Sequence, residues 1–519
     1  MPKTYSVPNI DQIDNIRFRK VLTDFQGGLN LKSSNELLND NEAILRQNFS
    51  NDDRGAIKKV NGYTVLNGGA ATLGAKPVRL LGRVYMSNNT KKLVAICNGK
   101  FYYSDDDGAT FTRDGNTTVH TETDFFTGVN YNDLFFYTSL TDNLLVYNPA
   151  TNNSIAATNK PTDKCKIILK RSDRRLIALV NVGNASTLYA SKVDPTNSAD
   201  DWSAVNDYSS IAIDGAKSEA LTGGATFGAY DIVFKDYAAF KVWGYPTPQA
   251  VRMTGSPGCA SPYSVAQGDG LTFHLAHDGV YMYDGNRFIL ISDPIKPLID
   301  LINPTYAQNA FGVYREGLYE LFYTYSGQTT NQKCLVYDVL GSNPYTGKNL
   351  WYERPILMNC PILLQGYGDD NQLYAGDSAS TGFVYRLDFS STGADNTSNI
   401  SGICQTKYFD FNTPHITKFF PKIHITYYLA KGSLIVTWYT NRGTVSGSFT
   451  LPVTQTGTPL GLFVLDTDRL AANVEATHTE RLPSNAIGKD ISIKITHSDV
   501  GSPCIVREVE LEAECLYEN

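Results

Sequence analysis

The stretch "LTFHLAHDGVYMYDGNRFILIS" at residues 271–292 decides the fold, because it holds three short β-rich runs separated by two tight turns. The turns are Asp278-Gly279 and Asp284-Gly285, and Asp-Gly pairs are favoured in two-residue hairpin loops, where both central residues need positive φ. Three strands within so short a stretch leave no room for a helix. The stretch therefore predicts a sheet built from consecutive hairpins.

The same order of apolar run, turn and aromatic run recurs from about residue 79 to residue 393. A second clear hairpin is "LVAICNGKFYYSDDDGATF" at 93–111, with its turn at Asn98-Gly99. The composition agrees: Tyr (32), Phe (24) and Gly (42) are abundant while Met (5) is scarce, which favours strands and turns over helices. We predict an all-β protein.

One strand ending recurs along this region: "LLVYN" at 144–148, "VYMYD" at 280–284, "CLVYD" at 334–338 and "FVYRLD" at 383–388. Tyr283, Tyr337 and Tyr385 are 54 and 48 residues apart, and Tyr147 lies 136 residues before Tyr283, close to three units of about 45. This period is typical of one four-stranded propeller blade. We predict a β-propeller of six to seven blades over residues 79–393.

The pattern changes after the glycine- and serine-rich stretch "SSTGADNTSNISG" at 390–402. Longer alternating strands follow, and in the last, "VREVELEAEC" at 506–515, apolar residues alternate with glutamates. Such alternation indicates a strand with one solvated face. We predict a β-sandwich over residues 403–519, and an N-terminal arm with first strands over residues 1–78.

The segment "SDDDGATF" within the second hairpin fits the S-x-D-x-G-x-T-[WF] pattern of an Asp box, through Ser104, Asp106, Gly108, Thr110 and Phe111. In this hairpin turn the Asp and Ser side chains bond the turn backbone while the aromatic residue packs beneath. The motif lies at the periphery of propeller blades and is structural. It supports the fold and indicates no chemistry.

No motif for catalysis is present: the sequence contains no H-E-x-x-H, G-x-S-x-G, phosphate-binding glycine loop or dinucleotide fingerprint. His274 and His277 would fall on opposite faces of a strand, which argues against a metal pair. Paired carboxylates for glycoside hydrolysis depend on spatial spacing and stay open, with Asp236, Glu320 and Glu353 as candidates that turns or salt bridges also explain. We predict no enzymatic activity, no cofactor and no metal site.

The charge and the hydrophobic pattern exclude two classes of partner, and the cysteine spacing indicates free thiols. The formal charge of −7 is spread along the chain without a basic cluster, which argues against stable nucleic-acid binding. No run of eighteen apolar residues occurs, so no membrane partner is expected. The eight cysteines form no C-x-x-C pair, and we predict buried free thiols.

Three large aromatic side chains have two interpretations. Trp351 and Tyr352 in "NLWYERP" and Trp243 in "KVWGYP" could bind sugars or another subunit if they are exposed. Large aromatic residues also fill the interfaces between blades, and we favour that interpretation.

The segment "DFQGGLNLKSSNELLNDNEAILRQNF" at 24–49 has no apolar stripe long enough to form a helix. With "KKVNGYTVLN" at 58–67 it resembles the N-terminus of bacteriophage tail proteins of the nozzle or tail-hub type, which carry propellers. Further similar stretches follow in the same order: "IVFKDYAAFKVWG" at 232–244, "HDGVYMYDGNRF" at 277–288 and "QTKYFDFNTPHITKFFPKIHITYY" at 405–428.

The resemblance implies a structural virion protein in the tail. Such a protein forms a homo-oligomeric ring, usually of six copies, around the channel through which DNA leaves. Portal or adaptor proteins on one side and tail fibres or spikes on the other are the implied partners, with DNA only in transit. The acidic balance suits a conduit, because a wall without net positive charge does not retain phosphates. The alternatives are a receptor-binding peripheral tail protein and, third, a sialidase-like glycosidase.

The resemblance also implies that residues 24–49 form an arm along the propeller or a neighbouring subunit. The alternative is that this segment supplies a strand that closes the propeller, and a closing strand can also touch a neighbour. The candidate contact residues are Phe25, Gly27, Gly28, Leu29, Asn30, Asn41 and Glu42.

Overall fold

A computed structural model describes residues 17–52, 55–68, 72–116, 119–203, 207–215, 219–390, 394–395, 398–454, 474–499 and 503–516. The chain divides into two compact units, Met1–Val60 with Ser391–Asn519 and Asn61–Ser390. Each unit is built almost entirely from strands. The expected all-β class is confirmed.

Five strands precede the second unit, and a sixth opens it. They are β1 (Arg17–Leu22), β2 (Gly28–Leu29), β3 (Glu42–Gln47), β4 (Phe49–Asn51), β5 (Ile57–Lys59) and β6 (Gly62–Val65).

The second unit continues with twenty-seven strands, β7 to β33. Their bounds are β7 (Val78–Tyr85), β8 (Lys91–Cys97), β9 (Lys100–Ser104), β10 (Thr112–Arg113), β11 (Thr127–Tyr131), β12 (Leu134–Thr138), β13 (Leu145–Asn148), β14 (Asn153–Ala156), β15 (Lys164–Lys170), β16 (Leu176–Val182), β17 (Thr187–Ala190), β18 (Ser209–Ala212), β19 (Gly223–Phe227), β20 (Tyr230–Lys235), β21 (Ala238–Trp243), β22 (Gln249–Arg252), β23 (Ala266–Gly268), β24 (Leu271–Leu275), β25 (Val280–Tyr283), β26 (Phe288–Leu290), β27 (Phe311–Arg315), β28 (Leu318–Tyr323), β29 (Lys333–Asn343), β30 (Lys348–Pro355), β31 (Met358–Gly366), β32 (Asp369–Asp377) and β33 (Val384–Ser390).

These strands form a β-propeller. Six blades are separate four-stranded antiparallel sheets, and β27–β30 form one further run with the same order, which makes seven. The first strand of each blade is the inner one, and the inner strands contact one another from β7 through β11 and β15 to β19, and from β23 through β27 and β31 back to β7. The 3-10 turn Pro262–Ser264 contacts both β19 and β27 and completes the ring.

The last blade is closed by a strand from the N-terminal side. β33 pairs with β32 on one side and with β6 on the other, where Tyr385 lies opposite Val65 and Leu387 opposite Tyr63. The closing strand is therefore Gly62–Val65. Residues 24–49, the expected alternative for this role, belong to the other unit.

The predicted repeat is visible in the strands. Tyr147, Tyr283, Tyr337 and Tyr385 lie on β13, β25, β29 and β33, each the third strand of its blade. The turn of the second hairpin has the predicted geometry, because Asn98 and Gly99 have φ of 51° and 63°. In the two turns of residues 271–292 only Gly285 has positive φ, at 92°, so the expectation for Asp278-Gly279 was wrong. The tyrosine period therefore marks blades, as predicted.

The chain returns to the first unit with ten strands. They are β34 (Ala394–Asp395), β35 (Ser398–Thr406), β36 (Lys418–Phe419), β37 (Lys422–Leu429), β38 (Leu434–Thr440), β39 (Val445–Leu451), β40 (Ala476–Arg481), β41 (Ile487–Gly488), β42 (Ile491–Asp499) and β43 (Cys504–Cys515).

Helix is scarce in the described parts of the chain. The α-helix α1 (Lys296–Ile299) is one turn long, and short 3-10 turns occur at Asn35–Leu37, Asp293–Ile295, Ala307–Asn309 and Asn441–Gly443. Across these described residues, a helix with the length and hydrophobicity needed to span a bilayer is not found.

The first unit is a β-sandwich. In one sheet β43 pairs with β1, β5, β36 and β37, and in the other β35 lies between β3 and β42, with β38 and β39 beyond. Val509 and Leu511 of β43 share one fully buried core with Val436 of β38 and Ile493 of β42. The predicted alternation of β43 holds, because Val509, Leu511 and Ala513 are all buried.

Strands from both ends of the chain build this sandwich. We expected an arm with first strands at 1–78, a propeller at 79–393 and a sandwich at 403–519; the compact units instead divide at Val60 and Ser390. The N-terminal strands contribute because β1 and β5 pair with β43 and β3 pairs with β35. Residues 1–16 of the expected arm and 455–473 of the expected sandwich lie outside the described residues.

A buried ionic group joins the last blade to the first. Asp369 on β32 accepts two hydrogen bonds from the Arg83 guanidinium, at 2.9 and 2.8 Å, and further bonds from Lys91 at 2.6 Å and Tyr85 at 2.8 Å. Burial alone would raise the pKa of Asp369, but these donors more than offset it and hold the pKa below its usual value. The carboxylate is therefore ionised wherever the fold is intact near neutral pH.

Replacing Asp369 by Ala should destabilise the propeller by about 3 kcal/mol, because it leaves the nearly buried Arg83 without its main partner. Urea denaturation at pH 7 measures this. Since folding lowers the pKa of Asp369, its contribution is present above about pH 4 and is lost as pH falls, so wild type and variant should converge in acid. The control Asp107→Ala removes a half-exposed partner of Arg83 and should cost less than about 1 kcal/mol. Equal losses for the two variants would contradict this account.

Candidate functional site

The Asp box closes its turn with side-chain hydrogen bonds. Asp106 accepts bonds from the Ser104 hydroxyl at 2.7 Å and from the Thr110 backbone N–H at 2.8 Å, and the Ser104 hydroxyl accepts from the Gly108 N–H at 2.9 Å. Gly108 has φ of +96°, and Phe111 is buried beneath the turn. Burial acts to raise the pKa of Asp106, while the bonds from Thr110 and Ser104 lower it below its usual value. The box stabilises one outer hairpin of the first blade.

The glycine pair of the N-terminal segment makes a tight turn inside the sandwich. A Cβ atom on Gly27 would lie 2.6 Å from the backbone C and O atoms of Asn41, and Gly28 has φ of +75°. The Asn41 amide donates to Asp24 at 2.8 Å. Both glycines are therefore required by the fold of this unit itself.

The polar candidates in the segment bond each other. Asn30 donates to Glu42 at 2.9 Å through its amide, and its Oδ1 accepts from the N–H groups of Lys32 and Ser33. β2 pairs in parallel with β3, so that Gly28 lies opposite Glu42. These side chains hold a local loop together.

The apolar candidates are buried. Phe25 belongs to the sandwich core, and Leu29 is 2% exposed. The buried Arg46 donates to the backbone oxygens of Phe25 and Phe49, each at 2.9 Å, and thereby fixes the path of the segment. None of these three side chains is presented at the surface of the unit.

The two segments that carry the phage resemblance meet in the sandwich. Asn35 donates to the backbone oxygen of Tyr408 at 2.8 Å and accepts from its N–H at 2.7 Å. Lys407 donates to the backbone oxygen of Leu38 at 2.7 Å and forms an ion pair with Asp40 at 2.8 Å. Stretches some 370 residues apart are therefore joined by direct hydrogen bonds.

Each candidate carboxylate lies close to a basic side chain. Asp236 lies 3.7 Å from His277 in an exposed loop, Glu353 is 2.6 Å from Lys333, and the buried Glu320 lies 3.4 Å from Arg315. Glu353 and Glu320 therefore have the salt-bridge role that the sequence also allowed.

The two histidines are in different environments. His274 is fully buried against the Phe234 ring at 4.5 Å, and burial lowers its pKa to about 3. His277 stacks on the exposed Tyr237 at 4.9 Å. The structure does not bring them together as a metal pair.

Three aromatic side chains beside the inner strands pack together near the propeller axis. Phe125, Tyr263 and Phe311 pack against one another with centroid distances between 4.9 and 5.8 Å, and the Tyr263 hydroxyl donates to the Phe125 carbonyl at 3.0 Å. Arg79 lies over Phe125 at 4.5 Å and Lys166 over Tyr263 at 5.4 Å.

These two cations were missed from the sequence. Arg79 in "PVRLLGRVY" and Lys166 in "KCKIILK" interrupt otherwise apolar inner strands, and that interruption was the available signal. The three aromatic candidates behave as expected for blade residues: Trp351 is fully buried and donates to Ile291 O at 2.8 Å, Tyr352 is buried and Trp243 is half-buried.

One group of side chains has metal-ligand geometry. His424 of β37 and Glu510 and Glu512 of β43 each place a ligand atom within 4.8 Å of the others. Arg19 pairs with Glu510, and Lys422 lies 3.8 Å from Glu512. Arg19 and Lys422 already neutralise the two carboxylates, so we interpret the group as a cluster of ion pairs on the sandwich surface. The alternating glutamates of β43 were its sequence signal.

No protein-family model and no curated protein sequence matches the chain. Among solved structures, the computationally designed Ika8 protein is similar with a TM-score of 0.39 and 10% identity, over 62% of this chain and 100% of that chain. U3-55K is similar with a TM-score of 0.41 and 9% identity, over 63% of this chain and 98% of that chain.

Replacing Asp106 by Ala should destabilise the first blade by about 1 kcal/mol, because the turn loses bonds that only its carboxylate accepts. Thermal denaturation and hydrogen exchange at Gly108 and Thr110 measure the effect. The control Asp105→Ala removes an exposed ion pair with Lys92 and should change stability by less than about 0.5 kcal/mol. Assembly should be unaffected by either change, and loss of assembly in a folded Asp106→Ala protein would make the box an interface.

Proposed function

We propose that the chain is a structural protein of a bacteriophage tail, which forms a ring of six copies around the DNA exit channel and catalyses no reaction. The observation that carries the proposal is the junction of Asn35 with Tyr408 and of Lys407 with Asp40. The stretches that resemble the nozzle and hub proteins at opposite ends of the chain form one hydrogen-bonded unit. A resemblance carried by parts that depend on each other is stronger support than separate matches.

The absence of catalysis is part of the same proposal. The candidate carboxylates Glu320 and Glu353 are paired with basic residues, and the aromatic side chains Phe125, Tyr263 and Phe311 pack against one another near the axis. A sialidase-like reaction would instead require two free carboxyl groups about 5 to 10 Å apart in an open site.

We propose that the turn at residues 35–40 contacts a neighbouring subunit. Leu37 is 77% exposed, although large apolar side chains normally avoid water. Beside it, the exposed Glu36 pairs with Arg442 at 2.5 Å, and a pocket of about 350 Å³ extends along Arg442, Pro414 and Asp490. The seven contact residues expected from the sequence stay a prediction, and we add this turn to them.

Portal or adaptor proteins and tail fibres or spikes are the proposed neighbours in the virion. DNA passes through the ring without stable binding, in line with the formal charge of −7. A receptor-binding role would change the expected stoichiometry, since such tail proteins are commonly trimers or multiples of three bound at the periphery.

The test of this function is the copy number and position of the chain in particles. Cryo-electron microscopy of assembled tails, with native mass spectrometry of the purified chain, should show six copies in a closed ring on the tail axis. Peripheral trimers would favour the receptor-binding alternative, and hydrolysis of glycan substrates by the purified protein would favour the glycosidase.

Replacing Leu37 by Asp should abolish ring formation while the monomer stays folded, because a charge then faces the apolar contact between identical subunits. Size-exclusion chromatography with light scattering measures assembly, and the thermal melt reports folding. The matched control is Leu340→Asp, at an 81% exposed leucine of the propeller, which should assemble normally. Rings formed equally well by both variants would move the interface away from this turn.

A further inference from the structure

A small polar pocket lies beside the aromatic cluster at the propeller axis. Its volume is about 40 Å³, enough for a few non-hydrogen atoms. Its walls come from the starts of inner strands and from the loops of the sixth and seventh blades. The lining residues are Pro77, Arg79, Phe125, Asn309, Thr324, Thr329, Thr330, Asn331, Asn359 and Ser378.

The pocket contains a guanidinium without a carboxylate. Arg79 is half-buried, stacks on Phe125 and donates through Nε to the backbone oxygen of Glu122 at 3.0 Å. The Glu122 carboxylate lies 3.6 Å from Lys76 instead, and Asp124 accepts from Ser139 and from the Thr141 N–H. Among the residues that the structure describes, Arg79 therefore has no ion-pair partner.

The same is true of the second cation at the axis. Lys166 lies over Tyr263 and, within the described ranges, neither donates to a protein acceptor nor pairs with a carboxylate. Burial lowers the pKa of both Arg79 and Lys166, which shows that water does not fully solvate them. The Asp124 charge acts to raise both pKa values but does not outweigh burial, and within the described residues it forms an ion pair with neither cation. A desolvated cation without an ion-pair partner is costly, so this region favours an anion.

The polar wall of the pocket offers donors. Asn331 donates to Asn309 O and to the Asn359 Oδ1, each at 2.9 Å, and its own oxygens are taken by Thr324 and Ser378. The acceptors on this wall are thus already satisfied. The amide NH₂ of Asn359, a residue 2% exposed, makes no protein hydrogen bond within the described chain and lines the pocket with the guanidinium.

We infer that this pocket binds a small oxyanion, a free carboxylate or inorganic phosphate, between the Arg79 guanidinium and the Asn359 amide. The planar guanidinium matches two oxygens of such a group, and the amide supplies a third donor. The pocket admits the charged group and no large substituent. The inference does not depend on the proposed tail function, because it uses only contacts inside the propeller.

Binding is tested with two probes on the full-length protein at constant ionic strength. Line broadening of ¹³C-labelled acetate and of inorganic phosphate (³¹P) should be saturable with wild-type protein. Arg79→Gln should weaken the affinity at least about tenfold, because a charge-assisted bidentate contact is lost. The matched control, Arg113→Gln, changes an exposed arginine on the outer strand of the same blade and should bind like wild type. The probe that binds more tightly identifies which oxyanion the pocket prefers.

A second variant keeps the test informative if Arg79→Gln fails to fold. Asn359→Asp places a carboxylate beside Arg79 within the chain, so it should raise the melting temperature in anion-free buffer and abolish binding of both probes. Loss of probe binding together with a higher melting temperature supports the site. Absence of saturable broadening in wild type, equal affinity in Arg79→Gln and Arg113→Gln, or undiminished binding in Asn359→Asp would overturn it.

Discussion

A ring of blades has to close, and in this protein the strand that completes the last blade comes before the first blade in the sequence. β6 completes the last blade by pairing with β33, and only Val60 and Asn61 separate it from β5, which pairs with β43 in the sandwich. The sandwich thus takes strands from both sides of the propeller in sequence, and the last blade takes its outer strand from before the first blade. Long-range pairings of this kind form late, because the entropy of closing a large loop is lost before the contacts that compensate for it can form. The sandwich cannot be complete before its C-terminal strands are available, whereas the propeller needs the chain only as far as β33.

Phenol–carboxylate bonds explain why so much tyrosine is useful here. Tyr85 donates to Asp369 and Tyr131 to Asp194, each pair joining neighbouring blades, and Tyr314 and Asp269 do the same at 2.5 Å. The ring of each tyrosine packs as an apolar side chain while its hydroxyl reaches a carboxylate at the edge. Burial, together with the Asp194 charge, raises the pKa of Tyr131 to about 12, so this phenol stays protonated and keeps donating. Phenylalanine would fill the same space without the link.

The blade repeat could be predicted from the sequence because it depends on residues close in sequence. The pairing partners of the N-terminal strands could not be predicted. Hairpin turns such as Asn98-Gly99 and the third-strand tyrosines depend on residues close in sequence, so period and turn chemistry reveal them. The partners of β1, β3 and β6 lie more than three hundred residues away, and alternation of side chains does not encode which distant strand will pair. Two of the candidate contact residues, Phe25 and Leu29, are buried within their own unit, which their sequence pattern did not reveal. Arg79 could be noticed as a charge in an inner strand, whereas its lack of a partner is visible only in three dimensions.

The antiparallel pairing of β1 with β43 also determines how the protein responds to mechanical load. Arg17 lies opposite Glu514 and Leu22 opposite Val509, so a force pulling outward at Arg17 and Glu514 acts across the hydrogen bonds at one end of the ladder. Under that geometry the bonds rupture one after another, as in a zipper, instead of resisting together in shear. The propeller is threaded between these two strands and carries none of the tension until they part. The β1–β43 pair therefore has to separate before tension reaches the blades.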